Sequence, residues 1–238
     1  MNRESRKSEI ILALDVENRQ RAMEVLAEVG DGLQWVKIGL QSYLRDGSDF
    51  IRELADEGYG VFLDLKLHDI PNTVAKAIES LAAAPIDMLT IHACAGSECI
   101  KAAAEATSEH LSGAKLLAVT VLTSLNEFAL QEIGVEGLVE DQVKRLAKLA
   151  IDSGAGGIVC SPLEIEPLRR ILPDETSLVT PGIRPSGSST DEQKRVLSPL
   201  EASKLGADYL VIGRPILNSP DPGETFRAIS AELEEKST

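Results

Sequence analysis

What is scarce in this chain narrows its class before any motif is read. There are three cysteines, Cys94, Cys99 and Cys160. Three cannot all pair and no CxxC spacing occurs, so reduced thiols and a cytoplasmic setting are expected. No apolar run approaches the ~20 residues of a membrane helix, and the opening MNRESRKSEI lacks the apolar stretch of a secretory signal. Basic residues are in short supply: 24 Lys+Arg against 38 Asp+Glu leave a formal net charge of −14. That balance argues against nucleic acid and anionic membranes as partners. No Ser/Gly-rich linker, charge block, low-complexity segment or short-period repeat divides the 238 residues. A single domain is therefore expected over 1–238, with 1–9 and 230–238 peripheral. The hydrophobic share, 43%, is enough for a sizeable core and argues against disorder.

Short apolar, β-branched runs do recur: 10–14, 35–39, 61–65, 88–92, 116–122, 157–160, 178–180 and 209–212. They are continuous rather than alternating, as strands buried on both faces of a parallel sheet are. Amphipathic helical stretches lie between them, among them 18–29, 72–84 and 138–153. Asn72 and Asp191 have the chemistry of helix caps, and Gly30, Gly58 and Gly154 that of helix stops. Eight strand–helix units without a break predict an α/β chain folded as a (β/α)8 TIM barrel. A doubly wound sheet is the alternative. The first βα turn, Asp15-Val16-Glu17-Asn18, counts against it because the Gly-rich dinucleotide fingerprint is missing.

In a barrel the chemistry sits at the C-terminal strand ends. There the first strand ends in Asp15, the second carries Lys37, and the third runs out through Asp64-Leu65-Lys66-Leu67-His68-Asp69-Ile70-Pro71-Asn72-Thr73. Residues two apart on a strand share a face, so Asp64 and Lys66 should project together, with Lys37 beside them. Charged residues at strand ends often do no more than pair and meet solvent. Three consecutive strands ending this way instead suggest a built array, in which an ammonium set between Asp64 and Asp69 is both a fixed charge and a proton source. No nucleophilic Ser or Cys with a paired base and no H-x-x-x-H metal spacing accompany it, so no metal or cofactor is expected.

A second constellation lies near the end of the chain. The seventh strand leads into Pro181-Gly182-Ile183-Arg184-Pro185 and the eighth into Gly213-Arg214-Pro215-Ile216. Barrels often hold phosphate with these two loops, glycine permitting close approach and Arg184 or Arg214 clasping the anion. His92, at the end of the fourth strand, reads first as a structural histidine. Thr123 and Ser124 either read a polar ring or cap their loop, and Cys94 and Cys99 read as unreactive thiols.

The matching segments are LALDV at 12–16, VKIGL at 36–40, DLKLHDIPNT at 64–73, VTVLTS at 119–124, VTPGIRP at 179–185, DEQKR at 191–195 and GADYLVIGRPI at 206–216. Together they make the chain resemble the orotidine 5′-monophosphate decarboxylase family, from about Ile10 to Phe226. The resemblance implies cofactor-free conversion of orotidine 5′-monophosphate to uridine 5′-monophosphate and CO2, the last step of de novo pyrimidine synthesis. It makes Lys66 the proton donor to C6 and Asp64 and Lys37 the rest of the charged network. Lys37 and Asp15 also reach the ribose hydroxyls. Asp69 and Thr73 enter the site of a partner subunit, hence a homodimer. The substrate-binding set is completed by Leu65, Leu67, His68, Ile70, Pro71, Asn72, Thr123 or Ser124 at the base, Pro181, Arg184 on a closing loop, and Gln193, Gly213 and Arg214 at the phosphate. Two other readings remain: a Mg²⁺-dependent sugar-phosphate decarboxylase of the same barrel group, such as ketogulonate-phosphate decarboxylase, which shares D-x-K-x-x-D, and a catalytically silent nucleotide-binding barrel.

Overall fold

The computed structural model describes residues 7–184 and 197–234. Eight parallel strands close into a barrel in chain order, β1-β2-β3-β4-β5-β6-β7-β8. They are β1 (Glu9–Ala13), β2 (Trp35–Gly39), β3 (Gly60–Leu67), β4 (Met88–His92), β5 (Lys115–Val119), β6 (Gly157–Val159), β7 (Ser177–Pro181) and β8 (Tyr209–Ile212). The first and last strands pair through Glu9 with Tyr209 and Leu12 with Ile212, which removes every free edge. Around the barrel run α1 (Arg19–Val29), α2 (Leu40–Asp56), α3 (Pro71–Glu79), α4 (Ser97–His110), α5 (Glu127–Glu132), α6 (Val139–Asp152), α7 (Ile165–Arg169), α8 (Pro199–Leu205), α9 (Arg214–Leu217) and α10 (Pro222–Glu234).

The continuous apolar runs serve two cores. Alternate residues such as Ile11, Phe62, Met88, Leu117, Val179 and Val211 fill the barrel interior. Their neighbours, such as Ile10, Leu12, Val61, Leu63 and Leu210, pack outward against the helices. Both faces are dry, which is why the strands show no alternation in sequence.

Several boundaries differ from the sequence expectation. The helix expected at 72–84 is Pro71–Glu79, capped by Ile70 rather than Asn72. Pro71 explains the shift: its fixed φ and missing N–H suit the first helical position, so Asn72 falls inside the helix. The fifth strand stops at Val119 rather than 122, and Val121, Leu122 and Thr123 line a cavity at the strand ends. Near the ends of the described residues, Ser8 and Leu233 are buried and Glu9 lies in β1. Asn18 caps α1 through Arg21 N, and Gly30 closes it with φ 70°. Asp191 lies outside the described residues.

Candidate active site

The site is built where β1, β2, β3 and β4 end. Lys37 is nearly enclosed, its side chain 10% exposed, and its Nζ lies 3.2 Å from Asp15 and 3.7 Å from Asp64. Lys66 Nζ donates to both oxygens of Asp64 at 2.8 Å. Asp64 is therefore shared by two ammonium groups while its side chain is 12% exposed. Burial alone would raise the Asp64 carboxyl; Lys37 and Lys66, then the hydrogen bonds from Lys66 and Thr90, outweigh burial and hold it below its ordinary value.

The local backbone that produces this is irregular. β3 and β4 pair Leu63 with Leu89 and then Leu67 with Ile91, so three residues of β3 lie opposite Thr90 alone. Within this bulge Lys66 takes φ 51°; among the described residues it is the non-glycine residue with positive φ. That conformation costs an ordinary residue about 1–2 kcal/mol. Such strain persists where surrounding bonds over-determine it. Here the Lys66 N–H donates to Thr90 Oγ1 at 2.8 Å, and Thr90 Oγ1 donates to Asp64 Oδ1 at 3.0 Å.

Below the charges lies a cavity of about 160 Å³ with an apolar floor of Phe62, Val119, Val159 and Val211 and with Thr123, Cys160 and Pro181 in its wall. Burial pushes the Cys160 thiol far up, so it is a neutral wall group. Next to it is a hollow of about 230 Å³ lined by Asp15, Lys37, Pro181, Gly182, Arg184, Gly213 and Arg214. The two spaces share Lys37, Pro181 and Val211. One adjoins the charged array and the other carries two guanidinium groups. A wider hollow of about 410 Å³ at the opposite end is lined by Lys7, Glu9, Trp35 and Phe226. Its charges already have partners: Lys7 pairs with Glu234 and Glu9 accepts from Trp35 Nε1. The smaller, convergent pair of spaces is the better candidate.

The structure brings Asp15, Lys37, Asp64, Lys66, Thr123, Pro181, Arg184, Gly213 and Arg214 to this end. It separates others. Leu65 and Leu67 pack outward against the core. Ser124 is exposed, as are His68, Ile70, Pro71, Asn72 and Thr73. Among the described residues Asp69 forms no ion pair with Lys66 of its own chain. Its side chain accepts from Ile70 N at 2.7 Å, its carbonyl accepts from Cys99 Sγ at 3.3 Å, and the ion-pair partner of Lys66 among the described residues is Asp64. The reason is the turn into Pro71, which carries the chain away from the strand direction. His68 turns to His92, ring centres 5.6 Å apart. Gln193 lies outside the described residues.

Two contributors escaped the sequence reading. One is Thr90. The other is Gly39, where an added Cβ would lie 2.8 Å from Asp15 Oδ1 and 3.0 Å from Lys37 Nζ. Glycine there lets the Asp15–Lys37 pair close over the backbone. Its signal in sequence is the glycine that ends VKIG.

A closed parallel barrel with a lysine–aspartate array and an arginine-lined hollow at the C-terminal strand ends defines a TIM-barrel enzyme. Comparison with known proteins narrows the class. The model of the orotidine 5′-phosphate decarboxylase / HUMPS family matches residues 8–229, and the chain belongs to that family. It is 53% identical over 225 residues to the orotidine 5′-phosphate decarboxylase of Opitutus terrae, covering 94% of this chain and 98% of the relative. To the protein of the same name from Nitrosococcus oceani it is 47% identical, covering 95% and 98%. The crystal structure of orotidine 5′-phosphate decarboxylase from Lactobacillus acidophilus superposes with a TM-score of 0.85 at 38% identity, covering 95% and 99%.

Proposed function

We propose that this protein decarboxylates orotidine 5′-monophosphate to uridine 5′-monophosphate and CO2, with Lys66 as the proton donor and no cofactor. The observation that carries the reading is the Lys37–Asp64–Lys66 array, with contacts of 2.8 and 3.7 Å, joined to a hollow lined by Arg184 and Arg214. The pyrimidine occupies the smaller cavity with C6 toward Lys66, Thr123 faces the base, Asp15 and Lys37 take the ribose hydroxyls, and the phosphate lies by Gly213 and Arg214. When the C6–carboxyl bond breaks, its electron pair stays on C6 and CO2 departs. The Lys66 ammonium stabilises that developing charge and transfers a proton to C6. The neutral amine then regains a proton from water. Phosphate contacts remote from C6 supply binding energy for positioning. They also set local cations against a net charge of −14.

The same reading makes the protein a homodimer in which Asp69 and Thr73 complete the partner's site. Its support is the exposure of both residues, the side chain of Asp69 engaged with its own Ile70 N–H, and the exposed apolar Leu40, Leu44 and Ile70 at the barrel's C-terminal end. Gln193 is assigned to the phosphate by resemblance alone. A cytoplasmic setting fits three free cysteines, two of them buried. Among the described residues, no helix is long and apolar enough to cross a membrane.

The test is an ultraviolet assay with orotidine 5′-monophosphate, with and without a chelator. Turnover in both is expected. Turnover abolished by the chelator would favour the Mg²⁺-dependent sugar-phosphate reading, and none in either would leave a silent nucleotide-binding barrel.

A further inference from the structure

We infer that Thr90 is a positioning residue for the reaction: its hydroxyl ties the backbone of Lys66 to the carboxylate of Asp64 and so sets where the lysine ammonium stands. The inference rests on the proposed decarboxylation for its kinetic meaning, while the tether itself rests on geometry.

Three facts about β3 and β4 make such a tether necessary. The bulge leaves 64, 65 and 66 opposite Thr90 alone, so Lys66 N–H has lost its place in the β3–β4 ladder. The residue in the bulge is a lysine at φ 51°, where glycine is the usual occupant. Thr90 is fully buried, so its hydroxyl needs hydrogen-bond partners within the protein.

The hydroxyl answers these conditions with one proton and fixed direction. An ionised carboxylate only accepts, so the Thr90 proton goes to Asp64 Oδ1 at 3.0 Å. A lone pair is then presented to Lys66 N–H at 2.8 Å. Asp64 in turn receives Lys66 Nζ at 2.8 Å. The lysine is thus held at both ends, its backbone by Thr90 and its ammonium by Asp64, and the two anchors are bonded to each other. The hydrogen bond from Thr90 also helps hold the Asp64 carboxyl ionised. Displacements of about 1 Å in such a site cost roughly 10²-fold in rate.

Valine matches threonine in shape and lacks the hydroxyl. Thr90→Val is expected to lower kcat on orotidine 5′-monophosphate by about 10- to 100-fold. The KM and the affinity for uridine 5′-monophosphate stay close to wild type, because Thr90 lines neither the phosphate nor the ribose space. The Lys66 amide resonance, which needs no substrate, should shift and exchange faster with solvent. Thr90→Ser, which keeps the hydroxyl, should recover most of the rate and the amide protection. Thr90→Ala must lose kcat in the same way, which covers the case of a valine variant that fails to fold. Near-wild-type kcat in folded Val or Ala variants, a serine variant as impaired as valine, or an unchanged Lys66 amide would each overturn the tether. A wild-type protein inert toward the substrate would refute the proposed reaction instead, and the amide measurement would still decide whether Thr90 holds Lys66.

Discussion

At the N-terminal end of the barrel, Glu9 accepts from Trp35 Nε1 at 2.7 Å. Lys115 donates to Ser177 Oγ at 2.7 Å. Arg169 bonds Asp208, Gly206 O and Thr176 O between 2.5 and 2.8 Å, while Asp208 also accepts from Leu178 N. Trp35 packs on Gly60, where a Cβ would lie 2.5 Å from the indole, and meets Tyr209 edge-on. At the C-terminal end, one buried carboxylate serves two ammonium groups and a hydroxyl, the lysine beside it has a strained backbone, and both open onto cavities. Polar groups at the first end are consumed by structural partners. Those at the second are held in place yet keep capacity for something else. Stability and chemistry are thus separated along the barrel axis, the division expected of this fold.

Substitutions at each end should separate the two kinds of loss. The largest effect belongs to Lys66→Ala, which removes the proposed proton donor: at least the ~10²–10⁴-fold in kcat ascribed to a general acid, with circular dichroism unchanged. A folded variant with near-normal turnover would show that Lys66 is not the proton donor. Mixing Lys66→Ala with Asp69→Ala subunits tests whether two chains share each site. With shared sites, a mixed dimer has one doubly defective site and one intact site, so activity should return toward about a quarter of wild type for random pairing. Continued inactivity, with subunit exchange shown independently, would place Asp69 in its own chain's site.

Asp208→Ala is the counterpart at the other end. Its partner Arg169 has a side chain only 9% exposed, and removing one member of a buried pair costs about 3–5 kcal/mol. Urea unfolding should show that loss, while kcat of the folded protein stays at wild type. A comparable fall in kcat would show that the two ends are coupled. Arg214→Ala should weaken binding of uridine 5′-monophosphate by about 1.5–3 kcal/mol, the worth of hydrogen bonds to a charged group, and leave uridine binding almost unchanged in calorimetry. Equal losses for both ligands would move Arg214 away from the phosphate.

The smallest effect is a pH slope. Burial, then His68 and Lys66, hold the half-buried His92 imidazole below its ordinary value against the opposing pull of Asp64. The unfolded chain therefore takes up this proton first, and stability falls as pH drops through about 6.5 toward the folded value. His92→Gln should flatten that part of a stability–pH curve measured by urea unfolding. Asp64, also depressed, acts lower: its contribution is full above about pH 3.9 and is lost as pH falls toward its folded value. An unchanged slope near pH 6 in the glutamine variant would remove His92 from the account.

Strand count, the unbroken βα alternation, and the meeting of Asp64 with Lys66 were legible in the chain because each depends on residues close in sequence and on backbone periodicity. So was the arrival of Lys37, since consecutive strands of a parallel barrel are neighbours. Thr90 could not be read. Its part depends on the register between β3 and β4, and nothing local announces a bulge that sets it opposite three residues. Gly39 is similar: its glycine is visible, but the approach of Asp15 and Lys37 that requires it arises only when β1 lies against β2. Asp69 shows the limit of a local rule: its spacing from Lys66 says only that the two side chains leave the strand differently, and its partner depends on where the turn into Pro71 sends the chain. The sequence by itself determined which segments are strands and helices and which residue types arrive at the barrel mouth, because sterics and burial act along the chain. Tertiary structure alone decided which of those residues touch, because distances between strands are set by register, bulging and closure, and these are properties of pairs that no single segment contains.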